Sequence, residues 1–244
     1  MHIFGDLPDA LSNTFLKDDR WKYLTDGLST TLLVTFFAVI LGMVLGFLIA
    51  IVRATHDKNG KLGVLNFFAK VYLTVIRGTP VVVQLLILYF IIFATVNIDK
   101  TLVAILAFGL NSAAYVAEIV RSGIMSIDNG QFEAGASLGL NYSKTMLFII
   151  LPQAFKNILP ALANECIVLL KETSVAGYIA LVDLTKGGDI IRSQTYEAFL
   201  PLIAVAIIYL VMVMFLSAMN CATDDDFLRE IGLLERRLAK SDRG

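Results

Sequence analysis

Four stretches of this chain run without a charged side chain: Leu28–Val52 for 25 residues, Gly78–Ile98 for 21, Thr101–Ala117 for 17 and Ala198–Thr223 for 26. A helix rises about 1.5 Å per residue, so roughly 20 apolar residues cross the ~30 Å hydrocarbon core of a bilayer. Inside lipid the backbone must satisfy its own hydrogen bonds, which such runs do as helices. A fifth stretch, Asn157–Leu170, is apolar apart from Glu165 and passes into Lys171-Glu172-Thr173-Ser174. The expectation is an all-α integral membrane protein with five transmembrane helices. Val64–Ile76 is apolar but carries Lys70. It reads either as an amphipathic helix at the interface or as the start of the next span, broken before Pro80.

Composition agrees. Charged residues make up 17% of the chain and hydrophobic ones 57%, with mean hydropathy +0.74, whereas soluble domains carry roughly a quarter charged residues. The net charge of −1 points to no particular partner and gives no support to nucleic-acid binding. Cys166 and Cys221 both sit in apolar stretches and read as small buried hydrophobes; their spacing suggests neither a disulfide framework nor a metal site. Residues 1–26 are expected outside the membrane, with Trp21 and Tyr23 at its surface. They lack the basic segment and apolar core of a cleaved signal, so the first span is expected to direct its own insertion. Residues 27–222 would form the membrane domain, and residues 223–244 a charged tail.

Lysine and arginine accumulate on the cytoplasmic side of membrane proteins. With the N-terminus outside, 13 of the 20 fall inside and 7 outside. This assigns the C-terminus and the loop 122–152 to the cytoplasm of a bacterial plasma membrane. Within that loop, Gly130–Pro152 is the most polar segment between spans. A helical pattern runs from Gln131 to Leu138, with Asp128 or Asn129 as N-cap and Gly139 as stop. A second helical pattern ends at Ile149-Ile150-Leu151-Pro152 and leads back into the membrane.

Polar groups at membrane depth cost about 2.5–3.5 kcal/mol for a charge, so each needs an explanation. Glu165 falls near the middle of its span and is a candidate for lining a translocation path. Asn111, beside Ser112 near the middle of the third span, either bonds a neighbouring helix or touches substrate. Gln84 is a weaker candidate. Glu118 precedes Arg121 by three residues, the spacing of an ion pair on a helix surface. Lys171–Ser174 reads equally as a substrate-site interruption or as a span end. No phosphate-binding G-x-x-x-x-G-K-[ST] loop is present. His2 and His56 fall in loops on opposite sides, and no nucleophile–base pair or metal cluster stands out. No catalytic residue is assigned, and the chain is not expected to be an enzyme.

The spacing Glu133-Ala134-Gly135, three residues, Gly139, nine residues, Ile149-x-Leu151-Pro152 resembles the EAA loop of ABC importer permeases. Arg77-Gly78-Thr79-Pro80-x-x-x-Gln84, Asn111-Ser112-Ala113-Ala114-Tyr115-x-x-Glu118-x-x-Arg121 and Asn164-Glu165 with Lys171-x-Thr173-Ser174 resemble the polar amino-acid branch of that family. The resemblance covers roughly residues 28 to 217. It implies the type I importer (MetI-like) fold and a core of two permease chains, identical or paralogous. Two cytoplasmic ATPase subunits would use the ATP, and an extracytoplasmic solute-binding protein would deliver the amino acid; this chain needs no cofactor of its own. Glu133, Ala134, Gly135 and Gly139 are carried over as the contact with the ATPase, and Gln84, Asn111 and Glu165 remain the substrate candidates. Gly135 stands where alanine is usual, which weakens a helix by roughly 1 kcal/mol. Asp224-Asp225-Asp226 is not a family feature; it is expected to cap a tail helix carrying Phe227, Ile231, Leu234 and Leu238 on one face. The alternative is an ATPase-independent transporter or channel with Glu165 or Glu118 as its ion site. Such a protein has no need for the loop.

Overall fold

The computed structural model describes the backbone of residues 7–241 and the side chains of residues 8–57 and 60–220. All regular elements among them are helical. A short helix α1 (Leu7–Leu11) precedes α2 (Trp21–Asn59), α3 (Gly63–Gly78), α4 (Val81–Ile87) and α5 (Lys100–Met125). Then come α6 (Asn129–Ser137), α7 (Tyr142–Thr145), α8 (Leu151–Glu172), α9 (Leu184–Thr195) and α10 (Phe199–Ser241). Among the described residues, four helical segments are long and apolar enough to cross a membrane: Trp21–Asp57, Lys100–Met125, Tyr142–Ile179 and Phe199–Asn220. The count reaches five when α3 and the segment Val81–Ile92 are taken together as one span bent by 109°.

That bend bears out the second reading of Val64–Ile76, the start of a span broken before Pro80, and it divides the uncharged run Gly78–Ile98. Helix α4 and the π-helical turn Leu88–Ile92 that extends it cover only about 18 Å, too little to cross alone. The cause is Pro80, which disfavours helical geometry at the residue before it. Thr79 is accordingly extended, at φ −125° and ψ 146°. The last turn of α3 is left with unpaired carbonyls. Gln84 meets them: its Nε2 donates to the carbonyls of Ile76 (2.8 Å) and Thr79 (3.0 Å) and to Thr79 Oγ1 (2.9 Å).

Helices α2 and α5 form the most extensive pair in the fold. Their approach depends on Gly42 and Gly46, spaced G-x-x-x-G. A Cβ on Gly42 would sit 2.9 Å from Ser112 Cβ, and one on Gly46 2.6 Å from Val116 Cβ. Without a hydrophobic force between helices in lipid, such backbone proximity is what binds them. Helix α5 becomes the central element, with Ala104, Ala107, Phe108, Val116 and Val120 all buried. Leu85, Leu169 and Ile179 pack around one half of it, and Ala50, Ile150, Ala154 and Ile158 around the other.

The fourth span is longer than expected. Helical backbone continues from Tyr142 to Ile179, with a π turn at Met146–Ile150 and a tighter 3-10 segment at Thr173–Ile179. Pro152 offers no N–H and its ring crowds the carbonyl four residues back, so the ladder widens just before it. Thr173 marks the change to the tighter helix, as the polar run Lys171–Ser174 suggests. Between the fourth and fifth spans lies helix α9, capped by Asp183, which accepts from the backbone N–H groups of Thr185 and Lys186, each at 3.1 Å. Gly187 and Gly188 let α9 press against the Tyr23 backbone of α2 and Val205 of α10.

Helix α10 runs unbroken to Ser241. Asp224–Asp226 therefore lies inside a helix and does not cap a new one, because nothing between Thr223 and Ile231 is a glycine or proline. The side chains of Phe227, Ile231, Leu234, Leu238 and Cys221, like His2, lie outside the described residues. Cys166 is half-buried rather than fully buried.

Candidate functional site

Two places concentrate polar chemistry: a cluster where α4, α5 and α8 meet at mid-span, and the loop that carries α6. In the cluster, consecutive residues of α5 reach in different directions. Asn111 Nδ2 donates to Gln84 Oε1 at 3.1 Å, and Ser112 Oγ donates to Glu165 Oε1 at 2.9 Å. Asn111, Ser112 and Glu165 are exposed by only 2%, 1% and 8%. Gln84 and Asn111 are thus joined directly, while Glu165 is held by Ser112, the neighbour of Asn111 on α5. Gln84 spends its amide donors on the α3–α4 break and its carbonyl on Asn111. The cluster joins the bent pair to α5, and α5 to α8. One atom stands out: Asn111 Oδ1 is buried and accepts no hydrogen bond, a condition costing about 1–3 kcal/mol. It is an acceptor able to take a donor from a bound polar molecule.

Toward the other end of α5, Glu118 and Arg121 make the expected pair at 3.2 Å. The pair belongs to a larger chain of charges. Arg121 Nε also meets Asp57 Oδ2 of α2 at 2.9 Å, and Glu118 Oε2 lies 3.7 Å from Arg77 Nη1 of α3. The Arg77 guanidinium sits 5.8 Å from the centre of the Tyr115 ring, within cation–π reach. Asp57 and Arg77 were not singled out as site residues from the sequence. Arg121 and Asp57 are 64 positions apart, and no local spacing signals such a pair.

The loop is built from local rules. Asp128 Oδ1 accepts from the Gly130 N–H at 2.6 Å and caps α6. At the other end Gly139 adopts φ +75°. Its N–H donates to the Ala136 carbonyl (2.9 Å) and that of Leu140 to the Gly135 carbonyl (3.0 Å). This pair of bonds is the Schellman closure that glycine favours. Asn141 then caps α7 by accepting from the Lys144 N–H at 2.9 Å. Glu133, Ala134, Ala136 and Gly139 are exposed, and Leu138 is 76% exposed.

Gly135 departs from expectation. It is buried, and a Cβ there would come within 2.5 Å of Thr145 Cγ2. Its missing side chain serves the packing of α6 on α7 and presents no docking surface. Phe132 stacks on Tyr142 with ring centroids 6.2 Å apart, a second tie between the two helices. The result is a short rigid helix with one face held and the other free.

Comparison with known proteins bears on this arrangement. Residues 42–225 match the profile of the family described as binding-protein-dependent transport system inner membrane component. A Bacillus subtilis protein named as the arginine transport system permease ArtQ is 38% identical over 204 residues, covering 83% of this chain and 91% of that protein. A Rickettsia typhi protein, provisionally named a glutamine transport system permease (GlnP), is 40% identical over 197 residues, covering 80% and 88%. The crystal structure of an amino acid ABC transporter solved with histidines superposes with a TM-score of 0.79 at 39% identity, over 91% of this chain and 98% of that one. An inward-facing structure of the MetNI methionine ABC transporter shares the fold, with a TM-score of 0.72 at 18% identity over 86% of this chain and 98% of that one.

Proposed function

This chain belongs to the family of binding-protein-dependent transport system inner membrane components, and on that premise we propose that it is the permease subunit of an ABC importer for polar L-amino acids. It works by alternating access in a core of two permease chains. ATP is bound and split by two separate cytoplasmic ATPase subunits, and a solute-binding protein delivers the amino acid from outside. The chain contributes the path and breaks no covalent bond.

The observation that carries this reading is the loop helix α6. It is capped at both ends and pinned to α7 by Gly135 and Phe132, while Glu133, Ala134 and Leu138 face outward. The 13-to-7 lysine and arginine distribution supports a cytoplasmic location for this face. A rigid helix gripped from below moves α7 and the continuous span behind it. Closure of the ATPase pair would draw two such helices together and open the path outward; hydrolysis would reset it. A secondary transporter would have no use for this outward face.

The cluster of Gln84, Asn111 and Glu165 is where the cargo would contact this chain. Asn111 Oδ1 suits a donor such as an ammonium or amide, and the second carboxylate oxygen of Glu165 favours a cationic group. This leans toward basic amino acids, in keeping with the name of the arginine relative. Replacing Glu133 with Arg should abolish ATPase copurification and permease-stimulated hydrolysis while leaving membrane insertion intact. Normal amino-acid uptake by that variant would refute the coupling role.

A further inference from the structure

Around the charge chain at the end of α5, positive charge is in surplus. Among the described residues, Arg53, Lys70, Arg77 and Arg121 face only two carboxylates, Asp57 and Glu118, and those two are already engaged by Arg121 and Arg77. Arg53 spends one nitrogen on Asn66 Oδ1 at 3.2 Å, yet its buried Nε has no partner. The Lys70 ammonium has no ion pair or hydrogen bond among the described residues. Arg53, Lys70, Thr74, Arg77 and Tyr115 line a cavity of about 620 Å³ between α2, α3 and α5, into which Glu118 also faces. Two uncompensated cations in such a space call for an anion.

The setting specifies which kind. Arg53 lies four residues, about 6 Å, inside the end of the apolar span Trp21–Asp57. The cavity is therefore at the depth where long basic side chains reach for headgroups. Helix α3 turns Lys70, Leu73, Thr74 and Arg77 toward the cavity. Beside them it carries an apolar stripe, with Phe67 and Phe68 exposed by 62% and 64% and Val71 and Val75 by 46% and 54%. An anion carrying acyl chains fits both the basic cavity and the stripe beside it; a free anion fits only the cavity.

We propose that this cavity holds the phosphate of an anionic phospholipid, with its acyl chains along the apolar stripe of α3. Basic pockets between membrane helices recognise lipid headgroups in this way. Bound there, the lipid would brace the bent pair at Arg77, two residues before the Thr79–Pro80 break.

The test is native mass spectrometry of the full-length protein released from phosphatidylcholine nanodiscs doped with phosphatidylglycerol. Selective retention of phosphatidylglycerol is expected. Lys70→Gln and Arg53→Gln should each lower it about five-fold, given roughly 1 kcal/mol per basic residue near an anionic surface. Lys70 has no partner to lose, so its variant should fold normally. Equal retention of the two lipids, or undiminished phosphatidylglycerol retention in Lys70→Gln, would overturn the proposal. Displacement of the lipid by inorganic phosphate alone would reassign the cavity to a soluble anion. A cross-link between Lys70→Cys residues of two copies would assign the face to a second chain.

Discussion

The mid-span cluster and the loop helix α6 use polar residues in opposite ways. At mid-span, Asn111, Ser112 and Glu165 are sealed in and bonded across helices. In the loop, Glu133 and Ala134 point outward and the hydrogen bonds are spent on the backbone, at the Asp128 cap and the Gly139 closure. Lipid explains the difference. A polar group at mid-span has no water to turn to, so it must find a partner within the fold. In the loop the outward side chains are exposed, so they need no partner within the fold. The first region ties helices together and keeps one acceptor, Asn111 Oδ1, for the proposed cargo; the second leaves an outward face, which the proposed function gives to an ATPase subunit.

Substitutions can break this contrast. The largest stability effect should come from Ser112→Ala, which removes the donor to Glu165 Oε1. A buried polar atom left without its partner costs about 1–3 kcal/mol, and thermal unfolding of the purified protein should show it. Unchanged stability would mean that Glu165 is not held by Ser112. Gly135→Val should cost about 1–3 kcal/mol by overpacking against Thr145, while Ala134→Val one position earlier should stay within about 0.5 kcal/mol. Equal effects at the two positions would erase the distinction between held and free faces of α6. Glu165→Ala should weaken uptake of a cationic amino acid more than that of a neutral one; equal loss would give the residue a structural role only.

The smallest effect belongs to neither region. On α9, Lys186 and then Arg192 hold the Asp189 carboxyl below its usual range. A depressed carboxylate contributes stability above its unfolded value of about 3.9, lost as pH falls through the lower folded value. The three side chains are each more than a third exposed, so Asp189→Asn should change stability at neutral pH by less than about 1 kcal/mol and flatten the dependence below pH ~4. Unfolding curves at the two pH values would check both points.

Long uncharged runs announced the spans, because lipid imposes a requirement that composition alone can meet. Caps and stops were legible for the same local reason: Asp128 and Gly139 act within four residues of themselves. Pro80 announced a break but not the 109° turn, which depends on Gln84 tying α4 back onto α3. The G-x-x-x-G of Gly42 and Gly46 was readable in principle as a close-packing face, yet its partner helix was not. Pairings across 53 and 64 positions, Ser112 with Glu165 and Arg121 with Asp57, carry no local signal. Gly135 misled because small residues serve equally for approach from outside and for packing from within. Only the rotation of α6 distinguishes the two, and that follows from Thr145 and Tyr142 in the next helix.

The central claim is that the free face of α6 is covered by an ATPase subunit. The most direct measurement is the labelling rate of a single cysteine, Ala134→Cys, in a chain whose Cys166 and Cys221 are replaced by Ser. The reagent is a membrane-impermeant thiol label, applied with and without the ATPase partner. The account predicts rapid labelling of the permease alone and strong protection once the ATPase is bound. Equal labelling in both states would contradict it.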